Sequence, residues 1–258
     1  MSSAPPTISA FTDAQYDHVY PKGIEHHFWC IARDAIISDM VRSIEERDGA
    51  RVGRMLEIGC GRGMVVAHLR GEHRDCYGVE LSPVTVPKEL EGHVWSGTDC
   101  RDLPQAFRAG VYLVMLLEVI EHIEDSTRFL ADIRDAFPNC RWLIVSVPAR
   151  RELWSNFDEQ YGHFRRYDIA MLRAELERAG AEHVWSRYRF ILLYPLLYLM
   201  ARSGVARPLS NSVPTLRLLH RIVAALIRRE TWIFPRWAYG ASIYAIGRFP
   251  GRMRAALN

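Results

Sequence analysis

The fold of this chain is decided by one stretch, Met55-Leu56-Glu57-Ile58-Gly59-Cys60-Gly61-Arg62-Gly63-Met64-Val65-Val66. A short apolar run ends in three glycines at alternate positions, and a helix-forming stretch follows at once. This pattern predicts a strand, a tight turn and a helix. Glycines let the chain turn sharply and bring backbone N–H groups and the helix N-terminus close to a ligand. The stretch therefore predicts a site in which a bound molecule lies against the main chain.

The spacing of these glycines and two nearby carboxylates indicate what the bound molecule is. A dinucleotide-binding turn has the pattern G-x-G-x-x-G, whereas this chain has G-x-G-x-G and carries Met64 in the place of the last glycine. Glu57 ends the predicted strand, where a carboxylate can organise the loop or bind an ammonium group. Glu80 ends a second short apolar run and can accept from both hydroxyls of a ribose, at roughly 1.5–3 kcal/mol for each charge-assisted bond. A nucleoside that carries an amino acid fits this pattern better than one that carries a pyrophosphate.

Four motifs follow one another between residues 51 and 180 and together resemble a known family. They are E-I-G-C-G-R-G at 57–63, G-V-E-L-S at 78–82, D-C-R-D-L-P at 99–104 and E-V-I-E-H-I at 118–123. The series is similar to the class I S-adenosylmethionine-dependent methyltransferases, above all to the bacterial group related to the quinone-biosynthesis methyltransferases. The resemblance implies an α/β fold, a Rossmann-like, seven-stranded, mostly parallel sheet with helices on both faces. It also implies S-adenosylmethionine as the cofactor.

The resemblance also assigns the residues that bind the cofactor. They are Glu57, Gly59, Cys60, Gly61, Gly63, Glu80, Leu81, Asp99, Cys100, Leu117 and Glu118. In this assignment Asp99 hydrogen-bonds the adenine amino group and the backbone N–H of Cys100 meets a ring nitrogen. Leu117 and Glu118 lie beneath the sulfonium. The alternative for Asp99 is a carboxylate that caps the turn or helix after the third strand.

Alternating apolar and helical segments predict the order of the elements in the core. Strands are predicted at 52–58, 75–80, 93–97, 111–117, 141–147, 183–189 and 241–246, and helices at 64–70, 83–90, 102–108, 126–137 and 168–179. Ligands of such open sheets bind outside the carboxyl ends of the strands, and every motif above stands at such an end. The methyltransferase core is expected to comprise 51–193 and 240–258.

Residues 1–50 are predicted as a tail followed by a helical flap. Apolar side chains recur at helical spacing from Phe28 to Ile44, so one face of this helix packs against the rest of the protein. The segment from Glu25 to Arg33 resembles one that precedes the cofactor motif in the same methyltransferases. That resemblance makes His27 a substrate-binding residue, and the alternative is a capped helix that covers the edge of the sheet.

A polar and aromatic loop, residues 148–167, follows the fifth strand and is long enough to indicate a functional segment. Its run G-H-F-R-R-Y at 162–167 resembles the segment that borders the acceptor pocket in the same methyltransferases. The resemblance makes Tyr161 an acceptor contact and Arg165 a group that attracts an anion. His163 is the first choice for a catalytic base and His122 the second. The alternative for the arginines is an ion pair with a nearby carboxylate.

Residues 194–239 are predicted as a helical insertion before the last strand, which serves as a lid or binds the acceptor. Leu216, Leu219 and Leu226 share one face of a helix, and arginines lie largely opposite. Two interpretations stay open. The apolar face packs into the protein as a cap, or the region 190–230 lies on an anionic membrane surface, at about 1 kcal/mol for each basic residue. Both predict an apolar, aromatic or lipidic acceptor.

The composition of the 258 residues narrows the class of partner. A net charge of +3 is too small to indicate nucleic acid, so a small-molecule acceptor is expected, and methylation of RNA or protein is less favoured. Five scattered cysteines suit the reducing cytoplasm and argue against a disulfide framework and a zinc site, and no metal is expected. The membrane interpretation places the protein on the inner face of the membrane. Two other classes stay open, a noncatalytic protein of the same fold and a nicotinamide oxidoreductase, which the glycine spacing disfavours.

Overall fold

The computed structural model describes residues 21–207 and 213–250, and a seven-stranded sheet runs through them. The strands, in chain order, are β1 (Arg54–Ile58), β2 (Cys76–Glu80), β3 (Val94–Ser96), β4 (Val111–Leu117), β5 (Trp142–Pro148), β6 (Glu182–Arg189) and β7 (Ser242–Arg248). β4 and β5 are apolar and buried almost throughout. This is the expected pattern for central strands that are covered on both faces.

The order of the strands is β3-β2-β1-β4-β5-β7-β6. The first five strands pair in parallel, and β7 is antiparallel to both β5 and β6. The chain reverses its direction of winding between β1 and β4, and open α/β sheets bind ligands at such a switch point. The arrangement confirms the predicted Rossmann-like, mostly parallel sheet.

Helices cover both faces of the sheet, as predicted. In chain order they are α1 (Phe28–Asp48), α2 (Met64–Gly71), α3 (Gln105–Gly110), α4 (Ser126–Ala136), α5 (Asn156–Gln160), α6 (Ile169–Arg178), α7 (Tyr194–Ser203) and α8 (Arg217–Ile233). One apolar cluster includes Leu130 of α4 and Leu176 of α6. The other includes Ile37 of α1 and Ile227 of α8.

The segment 83–90 differs from the prediction of a helix. It contains a 3-10 turn at Lys88–Leu90 and no α-helix. Pro87 disfavours the helical conformation for Val86, the residue before it, and the preceding β-branched residues lose side-chain freedom in a helix. The helix predicted at 102–108 also begins late, at Gln105, directly after Pro104.

The predicted flap is the long helix α1, which has two roles. Its later turns are buried in the protein through Ile37, Val41 and Ile44, so this part covers the sheet. Its first residues, including Phe28 and Trp29, line a cavity described below. The predicted tail lies in residues 1–20, outside the described residues.

The predicted insertion comprises α7 and α8, which lie between β6 and β7 in the chain. α8 buries a narrow stripe of Ala224, Ile227 and Glu230, while Leu219 and Leu226 are each 51% exposed. The apolar face is therefore divided between packing and solvent. Among the residues that the structure describes, no helix is both long and apolar enough to cross a membrane.

Candidate active site

A cavity of about 660 Å³ opens at the carboxyl ends of β1, β2 and β4, and this volume is typical of small-molecule sites. Its wall includes the turn after β1, the end of β2, the residues after β4, the loop after β5, the start of α1 and one side of α7. Ten of the eleven residues predicted to bind the cofactor line it. They are Glu57, Gly59, Cys60, Gly61, Glu80, Leu81, Asp99, Cys100, Leu117 and Glu118.

The turn between β1 and α2 requires glycine at specific positions. Gly59 and Gly61 have φ angles of 74° and 53°, a left-handed region that other residues rarely adopt. A Cβ on Gly59 would also lie 2.8 Å from Val119. Gly63 is the N-cap of α2 and lies outside the cavity wall, and a Cβ on it would lie 2.8 Å from Leu90. Its contact with the cofactor stays a prediction.

Glu80 is buried and faces the glycine turn. Its Oε2 accepts a hydrogen bond from the Gly61 N–H at 2.9 Å, and its Oε1 accepts one from the Ser82 N–H at 3.0 Å. Each carboxylate oxygen has a further lone-pair direction. The main chain thus fixes a carboxylate on the cavity wall that can still accept from two ligand hydroxyls.

Glu57 is a buried carboxylate at the end of β1. Burial raises the pKa of its carboxyl group to about 8, although the positive charge of Arg33 acts in the opposite direction. Within the described residues, Glu57 Oε2 has no hydrogen-bond partner. A cationic ligand beside it would favour the ionised form, so the residue suits an ammonium or sulfonium group.

Asp99 follows β3 and is engaged by its own neighbours. It caps the 3-10 turn Cys100–Asp102 by accepting from the Arg101 N–H at 2.8 Å, and it forms an ion pair with the Arg101 side chain. Hydrogen bonds from Arg101 lower the pKa of the Asp99 carboxyl group. Asp99 therefore has the capping role that was the alternative prediction, and it also lines the cavity.

Polar side chains gather where β4 ends. Glu118 has a φ of 56°, and its Oε1 accepts from the Ser146 hydroxyl at 3.1 Å. Burial raises the pKa of Glu118 and, more strongly, that of the fully buried Glu121. Burial lowers the pKa of His122 to about 4. The His122 ring meets the His163 ring edge to face at 4.7 Å between centroids.

The loop after β5 is organised around Asp158, which is fully buried. His163 Nδ1 lies 2.9 Å from Asp158 Oδ1, and Arg166 binds both carboxylate oxygens. These partners lower the pKa of Asp158 to about 2, against its burial. Tyr161 and His163 both line the cavity.

Arg165 does not line the cavity, and its predicted role in acceptor binding is corrected. Its guanidinium donates to the carbonyl of Glu124 at 2.5 Å and to the Ser126 hydroxyl at 3.2 Å, and it approaches Glu175. Glu124 and Ser126 lie at the start of α4, and Glu175 lies on α6. The arginine of this pair that reaches the cavity is Arg166, and Asp158 already neutralises it.

The remaining wall is contributed by α1 and α7. His27 caps α1 by accepting from the Trp29 N–H at 3.3 Å, and it lines the cavity. α7 and the residue before it form an apolar part of the wall. The sequence predicted an acceptor-binding insertion here but did not identify the individual residues. The apolar part consists of Leu193, Leu196, Leu197 and Met200.

An open α/β sheet with a glycine turn after β1 and a diol-accepting carboxylate at the end of β2 defines a nucleoside-binding protein. Residues 31–186, more than half of the chain, match the family model described as a methyltransferase domain. The chain belongs to this family and is an S-adenosylmethionine-dependent methyltransferase. The wall fits that cofactor, because Glu80 can accept from the ribose and the unpartnered Glu57 oxygen can face a cation.

Individual relatives agree with this assignment. Norajmaline N-methyltransferase of Rauvolfia serpentina is 33% identical over 108 residues, and the match spans 37% of this chain and 36% of that protein. Magnesium protoporphyrin IX methyltransferase of Synechocystis PCC 6803 with bound SAH has a TM-score of 0.52 at 12% identity, over 92% of this chain and 93% of that one. The plantazolicin methyltransferase with SAH has a TM-score of 0.53 at 9% identity, over 92% and 88%. At these identities the structures show the fold.

Proposed function

We propose that this enzyme methylates an oxygen or carbon atom of a small acceptor that has an aromatic or lipidic body. The observation that carries this proposal is the composition of the cavity wall. A polar side includes Glu118 and His163, and an apolar side is formed by Leu193, Leu197 and Met200 near α7. An acceptor with a reactive polar atom and an apolar body matches both sides.

The cofactor side of the cavity orients the donor. When bound, S-adenosylmethionine supplies a methyl group that its sulfonium activates. Glu80 accepts from the ribose hydroxyls, Glu57 interacts with the cationic part, and the wall at Asp99 and Cys100 receives the base. Holding donor and acceptor in line can supply on the order of 7–11 kcal/mol.

A base on the acceptor side of the cavity removes the proton of the acceptor's hydroxyl group or acidic carbon. His163 is the first candidate for the base, because Asp158 binds Nδ1 and leaves Nε2 for a ligand. His122 is the second, and its low pKa makes it neutral at physiological pH. Such a base contributes roughly 10²–10⁴ in rate. Tyr161 and His27 contact the acceptor.

The insertion 194–239 serves as the acceptor-binding part, and its outer surface rests on an anionic membrane. Among the described residues, eleven large apolar side chains on α7, α8 and their flanks are at least half exposed. They are Leu196, Leu199, Val205, Leu216, Leu218, Leu219, Ile222, Leu226, Trp232, Ile233 and Trp237. Exposed arginines accompany them at 217, 221, 229 and 236. Tryptophan, leucine and arginine together suit the interface between lipid headgroups and acyl chains.

A product assay tests the acceptor class. The full chain is incubated with methyl-labelled S-adenosylmethionine and, in separate reactions, a catechol, a prenylated quinol, a fatty acid and an anionic phospholipid. The quinol is included because the four motifs resemble those of the quinone-biosynthesis methyltransferases. We expect label in an apolar acceptor. Retained binding of S-adenosylhomocysteine with no labelled product from any acceptor would favour the noncatalytic alternative.

A further inference from the structure

Arg207 contributes a guanidinium to the cavity wall, and the proposed function gives this residue no role. It follows α7 in the chain and lines the cavity together with Phe157 and His163. Its side chain is partly buried, and burial lowers the pKa of the guanidinium. Because an arginine keeps its positive charge in proteins, the cavity holds a cation that is partly removed from water.

The neighbouring helix α5 holds Arg207 in this position. The Arg207 N–H donates to Asn156 Oδ1 at 2.8 Å, and Asn156 Nδ2 donates to the Arg207 carbonyl at 3.0 Å. The guanidinium carbon lies over the Phe157 ring, 4.8 Å from the ring centroid. Because this cation–π contact involves no hydrogen-bond acceptor, the N–H donors of the guanidinium are available to a ligand.

The carboxylate whose charge acts on Arg207 already has two other partners. Asp158 accepts hydrogen bonds from Arg166 at 2.7 and 3.0 Å, and its Oδ1 lies 2.9 Å from His163 Nδ1. Besides burial, the charge of Arg166 lowers the pKa of Arg207, and the charge of Asp158 raises it less. Among residues 21–207 and 213–250, no carboxylate forms an ion pair with Arg207. One positive charge on this part of the wall is therefore uncompensated.

Arg207 belongs to the acceptor side of the cavity. The Phe157 ring beneath its guanidinium also meets the His163 ring, at 6.3 Å between centroids. The cationic part of the cofactor is assigned to Glu57, and the arginine whose charge acts on that carboxylate is Arg33. An anion bound at Arg207 is therefore expected to belong to the acceptor and not to the cofactor.

We propose that Arg207 binds a carboxylate or phosphate group of the acceptor and thereby orients the acceptor toward the methyl donor. The planar guanidinium can donate two parallel N–H···O bonds to either anion. This inference rests on the proposed function and deepens it, because the aromatic or lipidic acceptor then carries an anionic group. Arg207 thus takes the attraction of an anion that the sequence predicted for Arg165.

Three matched probes test for the anionic group without knowledge of the natural acceptor. The full chain is saturated with S-adenosylhomocysteine and titrated by calorimetry with 4-butylbenzoate, 4-butylphenyl phosphate or the neutral 4-butylbenzamide. We expect one or both anions to bind at least tenfold more tightly than the amide. The tighter of the two anions shows whether the site prefers a carboxylate or a phosphate.

Two variants and a matched control test the arginine itself. In Arg207→Gln we expect the preferred anion to bind at least tenfold more weakly, and the amide and S-adenosylhomocysteine to bind within threefold of the wild type. Arg207→Lys keeps the charge but loses the two parallel donors, so an intermediate loss is expected. The control Arg202→Gln changes an exposed arginine of α7 outside the cavity wall and is expected to bind every probe like the wild type.

The outcomes separate this inference from the proposed function. Equal binding of the anions and the amide by the wild type overturns the role of Arg207 and leaves the apolar acceptor in place, whether or not any variant folds. Unchanged anion binding in Arg207→Gln, or an equal loss of all three probes, overturns that role as well. If the wild type binds neither the anions nor the amide at 1 mM, the proposed class of acceptor is wrong, and the inference fails with it.

Discussion

Replacing Glu80 with glutamine gives a sharp test of how the cofactor is bound. The carboxylate accepts from the backbone N–H groups of Gly61 and Ser82 at 2.9 and 3.0 Å. In Glu80→Gln one oxygen becomes an NH₂ group, which cannot accept. One backbone N–H therefore loses its partner, and one ribose hydroxyl loses an anionic acceptor.

The two losses have different consequences. Losing one charge-assisted bond to the ribose costs about 1.5–3 kcal/mol, so we expect Kd for S-adenosylhomocysteine to rise roughly 10- to 150-fold. The unsatisfied backbone N–H lowers the free energy of unfolding by about 1–3 kcal/mol. Isothermal titration gives the first quantity and urea denaturation the second.

A ligand series separates ribose recognition from a general loss of shape. Adenosine is expected to lose affinity in Glu80→Gln, whereas 2′,3′-dideoxyadenosine, which lacks both hydroxyls, is expected to bind the variant and the wild type alike. Asp75→Asn is the control, because Asp75 directly precedes β2 and lies outside the cavity wall, paired with Arg54. A Kd for adenosine within threefold of the wild-type value in Glu80→Gln would refute the reasoning.

Three further predictions concern the turn, a buried carboxylate and the outer surface. Gly61→Ala adds a Cβ at a residue whose φ is 53°, so we expect the free energy of unfolding to fall by about 1–2 kcal/mol and S-adenosylhomocysteine to bind more weakly. Urea denaturation measures the first effect and calorimetric titration the second. Unchanged values in both would contradict the role of this turn. The pKa of Glu57 is raised to about 8 in the folded protein, so the folded protein keeps a proton that the unfolded chain releases above about pH 4.5. The contribution of Glu57 to the free energy of unfolding therefore falls as pH rises from about 4.5 to 8 and levels off above pH 8. Glu57→Gln is expected to reduce that slope, and equal slopes in urea denaturation at pH 5, 6.5 and 8 would show that Glu57 is not its cause. Trp232→Ser with Trp237→Ser is expected to reduce co-sedimentation with vesicles of phosphatidylglycerol several-fold without changing S-adenosylhomocysteine binding; wild type that stays in the supernatant would refute the membrane surface.

Local chemistry explains which parts of the site were predictable. The glycine turn and Glu80 lie at strand ends, where a short motif specifies both the backbone conformation and the position of one side chain. The absence of a helix at 83–90 follows from Pro87, whose effect on the preceding residue outweighs the other residues of the segment. The apolar sequence of β7 predicts a strand but does not specify that it pairs antiparallel to β5 and β6.

Side-chain direction within an irregular loop was not predictable in the same way. Arg165 and Arg166 are neighbours of identical type, yet one binds the start of α4 and Glu175 of α6, and the other binds Asp158 beside the cavity. Which of them turns inward depends on where Asp158 is buried, and that is a property of the packed structure. Glu121 is similar, because the absence of a hydrogen-bond partner for its carboxylate among the described residues can be recognised only when its surroundings are known.

Several costly features of this protein occur at one cavity. Glu57 and Glu121 are buried with oxygens that have no hydrogen-bond partner in the part of the chain that the structure describes, and Glu118 has a positive φ. Each of these features lowers the stability of the ligand-free protein. A cation or cofactor that satisfies them binds the folded state and stabilises it according to its concentration and Kd. The same carboxylates that lower the stability of the fold therefore give the cavity its affinity for positively charged ligands. Because these carboxylates lie together at the ends of β1 and β4, the methyl transfer is placed there.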